Sequence, residues 1–115
     1  MVDRSEYLDR IDELLGIFPV VAIHGPRQCG KTTLARVYSE HAGHCAFYDL
    51  EDPTDRARLS GPMLELERQE GLVILDEIQR KPELFEILRV LSDRPDAPAR
   101  FLVLGSASPH LVRGV

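Results

Sequence analysis

Four short apolar runs alternating with helical patterns predict an α/β fold, a parallel sheet between helices in three α/β/α layers. Two further observations support this. The runs are rich in Val, Ile, Leu and Phe, as buried strands are. The length, 115 residues with 43% hydrophobic and 29% charged, suits one globular domain with a real core.

The elements follow in order. Tyr7, Leu8, Ile11, Leu14 and Leu15 fall at helical spacing among acids and arginines, so residues 4–15 should form an amphipathic helix, with Gly16 as its stop. An N-terminal helix over 1–16 is thus expected before a core over 17–115. "FPVVAI" (18–23) reads as a buried strand with Pro19 tolerated at its start. A helix from Lys31 to about His41 follows, stopped by Gly43. "CAFYDL" (45–50) is the second strand. "EDPTD" is a turn with Pro53 ready to open a helix, and 56–71 holds one or two short helices broken at Gly61-Pro62. "GLVILDE" (71–77) carries the third strand. A helix opening near Pro82 places Leu84, Phe85, Leu88 and Leu91 on one face. After a Pro-rich loop, "RFLVLGS" (100–106) is the fourth strand.

The net charge of −5 and pI of about 5.3 give no broad basic footprint, so nucleic acid is not indicated. Cys29 and Cys45 are too few for a disulfide framework, and reduced thiols in a cytoplasmic setting are expected. The N-terminus has acids where a signal peptide would be apolar. The longest apolar run, Ile17–Ile23, falls far short of the ~20 residues that span a bilayer, so no membrane partner is expected.

The chemistry starts at "HGPRQCGKTT". Gly25-Pro26-Arg27-Gln28-Cys29-Gly30-Lys31-Thr32 matches the phosphate-loop pattern G-x-x-x-x-G-K-[ST], after a strand and before a helix as that pattern requires. Glycine permits the close backbone approach, and successive N–H groups with the helix N-terminus face the phosphates. Lys31 would reach the β- and γ-phosphates, the Thr32 hydroxyl would ligate Mg2+, and Thr33 continues the cradle. With Gly near 7% of residues, chance matches occur on the order of once in 10⁴ windows or fewer. The run Leu72–Leu75 then ends in Asp76 and Glu77. Asp76 is placed to hold Mg2+, commonly through water, and Glu77 to orient or activate an attacking water. In a parallel sheet, ligands bind beyond the carboxyl ends of the strands. Those ends also carry Asp49, Glu51 and Ser106. Ser106 could hydrogen-bond the γ-phosphate or the water, or could simply belong to a Gly-Ser turn. Asp49 and Glu51 are read as turn or cap residues, Cys29 as a small filler in the loop, and His24 and His110 as structural. Arg113 looks like any arginine near a terminus.

With these motifs, "GPRQCGKTTLA", "FYDLEDPTDRARL", "LVILDEIQRKPELFEILRVL" and "FLVLGSAS" resemble an ATP-binding family of the AAA+ type, a class of P-loop NTPases. The resemblance covers nearly the whole chain. It implies a sheet order of 1-4-3-2 and phosphate binding by Gly25 to Thr33. It also implies Asp76 and Glu77 as Mg2+-linked and catalytic acids, and Ser106 as the polar sensor after strand four. Related proteins continue into a fifth strand, a helical lid and a separate C-terminal domain. The expectation is therefore an N-terminal, truncated part of an ATPase that lacks the fifth strand.

The leading expectation is Mg2+-dependent ATP binding, with hydrolysis in the complete protein and binding with weak or no turnover by this chain alone. A nucleotide-binding or regulatory module without turnover and a small-molecule kinase are the alternatives. The adjacent Asp76-Glu77 pair favours water over another acceptor. The N/T-K-x-D element of common GTPases is absent from the sequence, which has no Asn and whose other lysine, Lys81, precedes Pro82. Without a fifth strand the apolar first strand would be a sheet edge, which predicts self-association.

Overall fold

The computed structural model describes residues 4–25, 30–95 and 98–106. Pro26, Arg27, Gln28 and Cys29, and also His110 and Arg113, lie outside them. The chain runs α1 (Arg4–Ile17), β1 (Val20–Gly25), α2 (Lys31–Ser39), β2 (Cys45–Asp49), α3 (Pro53–Arg58), α4 (Pro62–Glu67), β3 (Gly71–Asp76), a 3-10 turn (Ile78–Arg80), α5 (Leu84–Ser92) and β4 (Ala99–Ser106). The four strands form one parallel sheet in the order β1-β4-β3-β2.

Alternation along each strand divides the core in two. Val20, Tyr48, Val73, Leu75, Phe101 and Val103 face α3, α4 and α5. Val21, Ile74, Leu102 and Leu104 face α1 and α2, where Ile11, Leu15 and Ala35 meet them. The central strands β3 and β4 are buried along nearly their whole length, whereas the edge strands β1 and β2 are only half-buried. Leu84, Leu88 and Leu91 fill one stripe of α5, and burying such a side chain is worth roughly 1.5–3 kcal/mol. Polar ties fix the outer helices. Tyr38 Oη of α2 donates to Asp12 of α1 at 2.9 Å. Burial and that carboxylate push the Tyr38 hydroxyl up to about 12. Tyr48 Oη donates to Glu65 of α4 at 2.7 Å.

The observed boundaries differ from the sequence expectations at a few punctuation residues. Gly16 does not stop α1, which continues to Ile17, and Phe18 N donates to the Leu14 carbonyl at 2.8 Å. A glycine inside a helix costs about 1 kcal/mol but does not break it. The first strand starts after Pro19, whose carbonyl accepts from Phe101 N at 2.8 Å. Pro53 and Pro62 do open α3 and α4, with Asp52 as the cap that accepts from Thr54 N at 2.9 Å. Pro82 instead sits in the turn before α5, which begins at Leu84.

Gly71 begins β3 at φ +82°, and a Cβ there would lie 2.7 Å from the His44 carbonyl oxygen. That oxygen accepts from Leu72 N at 2.9 Å, so it cannot retreat without loosening the β2–β3 junction. Gly71→Ala should therefore destabilise the fold by about 2 kcal/mol or more. Urea unfolding checks this, and an unchanged midpoint would contradict the close approach.

Candidate functional site: the strand ends around Lys31, Asp76 and Glu77

Because all four strands run parallel, their carboxyl ends share one edge. Register pairs Gly25 of β1 with Ser106 of β4, and Asp49 of β2 with Asp76 of β3. β1 passes the chain to α2 on one face, and β3 passes it towards α5 on the other. Diverging connections of this kind open a crevice above the strand ends.

The first turn of α2 lines that crevice. Gly30, at φ 88° and ψ 16°, is its N-cap. This left-handed conformation suits glycine and turns the chain sharply into the helix. Lys31 follows and is only 4% exposed, and its Nζ donates to the Gly25 carbonyl at 3.2 Å. An ammonium is seldom buried unless it has acceptors to serve.

Thr32 joins α2 to β3. Its Oγ1 donates to Asp76 Oδ2 at 2.9 Å. Asp76 is 4% exposed, and its other oxygen, Oδ1, is buried with no hydrogen-bond partner among the described residues. Burial pushes the Asp76 carboxyl above its ordinary range, and the negative charges of Glu77 and Asp49 push the same way. The Thr32 hydroxyl and the Glu77 backbone N–H pull it back. An orphaned, buried carboxylate oxygen is costly, and a cation ligand is one way to satisfy it. Among the described residues no three His, Cys, Asp or Glu side chains come together as a metal cage. One carboxylate and one hydroxyl fit Mg2+, which keeps most of its shell for water and phosphate.

Glu77 is the one non-glycine residue with positive φ among the described residues, at φ 58° and ψ 52°. This left-handed backbone costs about 1–2 kcal/mol for a residue with a Cβ. It ends β3 abruptly, and Ile78 turns into the core, 2% exposed. The Glu77 side chain is 7% exposed. Its Oε1 accepts from Ser106 Oγ at 2.9 Å and from the Gln79 side-chain amide.

The described strand-end residues singled out from the sequence therefore come together: Gly25, Gly30, Lys31, Thr32, Asp76, Glu77 and Ser106. Thr33 is exposed on the first turn of α2. It lines a cavity of about 530 Å3 between α1, α2 and β1 that also touches Gly30, Lys31 and Tyr7. Asp49 and Glu51 act in the turn. Asp49 Oδ1 accepts from Glu51 N at 3.0 Å, and Glu51 pairs with Arg80 at 3.2 Å. Gln79 had been given no role from the sequence. It lies three positions past a strand end, in a turn whose direction depends on the unusual backbone of Glu77.

A family model described as an AAA domain matches residues 18–115. The chain belongs to the AAA domain family. The chain is 52% identical over 112 residues to uncharacterized proteins of Mycobacterium tuberculosis and Mycobacterium bovis, matching 97% of this chain and 25% of each relative. The chain thus spans a quarter of the length of these relatives. Among solved structures it is similar to a Walker-type ATPase of Pyrococcus abyssi (TM-score 0.66, 16% identity, 91% of this chain and 45% of that one). It is also similar to PCH-2 of C. elegans (TM-score 0.63, 13% identity, 95% and 38%). A third is the P-loop NTPase domain of a sigma-54 activator from E. coli (TM-score 0.55, 18% identity, 87% and 84%). At these identities the structural likenesses establish the shared P-loop NTPase fold, and the order 1-4-3-2 implied by the sequence resemblance is the order found. No helix among the described residues is long and apolar enough to cross a membrane.

The Asp76 carboxylate makes a stability prediction. Its folded-state pKa is raised, so stability from this group falls as pH climbs from the ordinary carboxylate range through the raised value. Asp76→Asn keeps an acceptor for Thr32 and removes the buried charge. Without nucleotide or metal it should melt higher than the unaltered chain at pH 7, and the gap should narrow towards acid pH. Calorimetry across pH checks this; a lower melting temperature for the variant, or a gap that widens in acid, would contradict it.

Proposed function

We propose that the chain binds ATP with Mg2+ at this strand-end crevice, and that the complete protein hydrolyses it. The observation that carries the reading is the Thr32–Asp76 hydrogen bond with the orphaned Asp76 Oδ1 beside it. A hydroxyl and a carboxylate from distant parts of the chain are preassembled there with an unmet acceptor. The phosphates would be held by the loop from Gly25 through Pro26, Arg27, Gln28 and Cys29 to Gly30, with Lys31, Thr32 and Thr33 at the start of α2. Mg2+, when bound by Asp76 and Thr32, would neutralise phosphate charge.

The chain's own groups divide the remaining work. Lys31 is already desolvated and would exchange the Gly25 carbonyl for phosphate oxygens at small reorganisation cost. Glu77, held at the end of β3, would orient the attacking water and accept its proton. Ser106, now on Glu77, lies one strand from Gly25 and would sense the terminal phosphate. The cavity of about 530 Å3 lies within the size range of small-molecule sites, and Tyr7 offers a ring to a base beside Gly30 and Lys31. A carboxylate poised for water favours hydrolysis over transfer to another acceptor. The cytoplasm, where ATP and Mg2+ are plentiful, is the setting this reading assigns.

Charge supports the need for the cation. Among the described residues the crevice buries two carboxylates, Asp76 and Glu77, against one ammonium, Lys31. Naked triphosphate would meet net repulsion there. ATP affinity should therefore fall at least about tenfold in EDTA, and Lys31→Ala should weaken MgATP binding by roughly tenfold or more, the value of one charge-assisted hydrogen bond. Isothermal titration measures both. Unchanged affinity in Lys31→Ala would remove the cradle reading.

The edge position of β1 supports a second proposal, self-association. Among the described residues β1 pairs with β4 alone, so the backbone from Val21 to Ile23 forms a sheet edge. An unpaired apolar edge accepts strands from other chains. Sedimentation at tens of micromolar should show dimers or larger species; a single monomer peak would contradict this.

A further inference from the structure

We infer that Gln79 is a positioning residue for Glu77. The inference rests on the reading of Glu77 as the group that orients water, and it extends that reading to a residue with no assigned role. The Gln79 amide donates to Glu77 Oε1, the same oxygen that accepts from Ser106 Oγ. One donor comes from the turn after β3 and the other from the end of β4, so the carboxylate is gripped from two elements. With two bonds Oε1 is saturated, and Oε2 is the oxygen with lone pairs to offer a water proton.

Three features fix Gln79 in that role. Its backbone belongs to the 3-10 turn closed by Arg80 N on the Glu77 carbonyl and Lys81 N on the Ile78 carbonyl, each at 3.0 Å. That turn is anchored by the buried Ile78. The amide can face a carboxylate only with its NH2, since its oxygen would be repelled. Finally, Gln79 Oε1 is buried without a partner among the described residues. A glutamine free to serve its own oxygen would turn it to water, so the contact with Glu77 sets this orientation. Ser106 has a second task if it turns to the terminal phosphate, and Gln79 would then hold Glu77 alone.

The test combines spectroscopy on the chain with single-turnover kinetics on the complete protein. The sequence has three glutamines and no asparagine, so three side-chain amide pairs appear in a 1H–15N spectrum, and Gln79→Leu assigns one of them. Glu77→Gln should shift that pair and speed its hydrogen exchange, while Lys31→Ala leaves it in place. With the complete protein in excess over labelled MgATP, Gln79→Leu should slow phosphate release at least about tenfold while nucleotide Kd stays within about twofold, a split that general destabilisation would not give. Unmoved amide resonances in Glu77→Gln, or Gln79→Leu turnover equal to that of the unaltered complete protein, overturn the inference alone if Glu77→Gln is inactive. If Glu77→Gln turns over normally, or if the unaltered complete protein binds MgATP without any phosphate release, the underlying reading of Glu77 fails and the inference falls with it.

Discussion

The hydrogen bond from Thr32 to Asp76 joins the first turn of α2 to the last residue of β3, 44 positions apart in sequence. It bridges elements two strands apart in the order observed, from the helix that follows β1 to the end of β3. α2 leaves β1 at one edge of the sheet and carries the chain to β2 at the other edge. On the way its N-terminus passes above β4 and within reach of β3. The apolar faces of β3 and β4 hold these ends in register, so the hydrophobic core and the polar site are parts of one construction.

The site is costly to the fold. Lys31, Asp76 and Glu77 are the buried charged residues among those described, and all three sit at the same end of the sheet. Asp76 carries an oxygen without a partner, and Gln79 carries another. Glu77 adds a left-handed backbone. Unsatisfied groups cost about 1–3 kcal/mol each, large against the 5–15 kcal/mol net stability of ordinary domains. Compensation is local. Ile78 is buried directly after Glu77, and the turn that strains one residue places the next in the core beneath α5. Concentrated strain and unmet acceptors at a crevice are what a ligand can relieve.

The sheet was legible in the sequence because four runs of apolar residues carry it, and because the phosphate-loop pattern fixes where the first strand ends. Lys31, Thr32 and Asp76 were legible for the same reason: each occupies a position defined by the strand or helix it begins or ends. Helix boundaries were less so. Gly16 and Pro82 are breakers by composition, yet Gly16 lies inside α1 and Pro82 precedes α5 in a turn. Packing of Ile11 and Leu15 against the sheet outweighs the glycine penalty. Gln79 was invisible for a different reason. Its role depends on the φ of Glu77, and no local pattern announces a left-handed glutamate.

That dependence bears on how the site works as a unit. Glu77 could have continued β3 in extended conformation, which would have alternated its side chain across the sheet and carried Ile78 away from α5. The left-handed turn instead binds three outcomes together: the strand stops, Ile78 enters the core, and Ser106 and Gln79 converge on one oxygen of Glu77. None of these can be changed without the others, because they share one pair of dihedral angles. The precision of the carboxylate therefore does not depend on a long-range scaffold beyond β3 and β4. It is set within the four residues from Asp76 to Gln79 and clamped from β4 by Ser106.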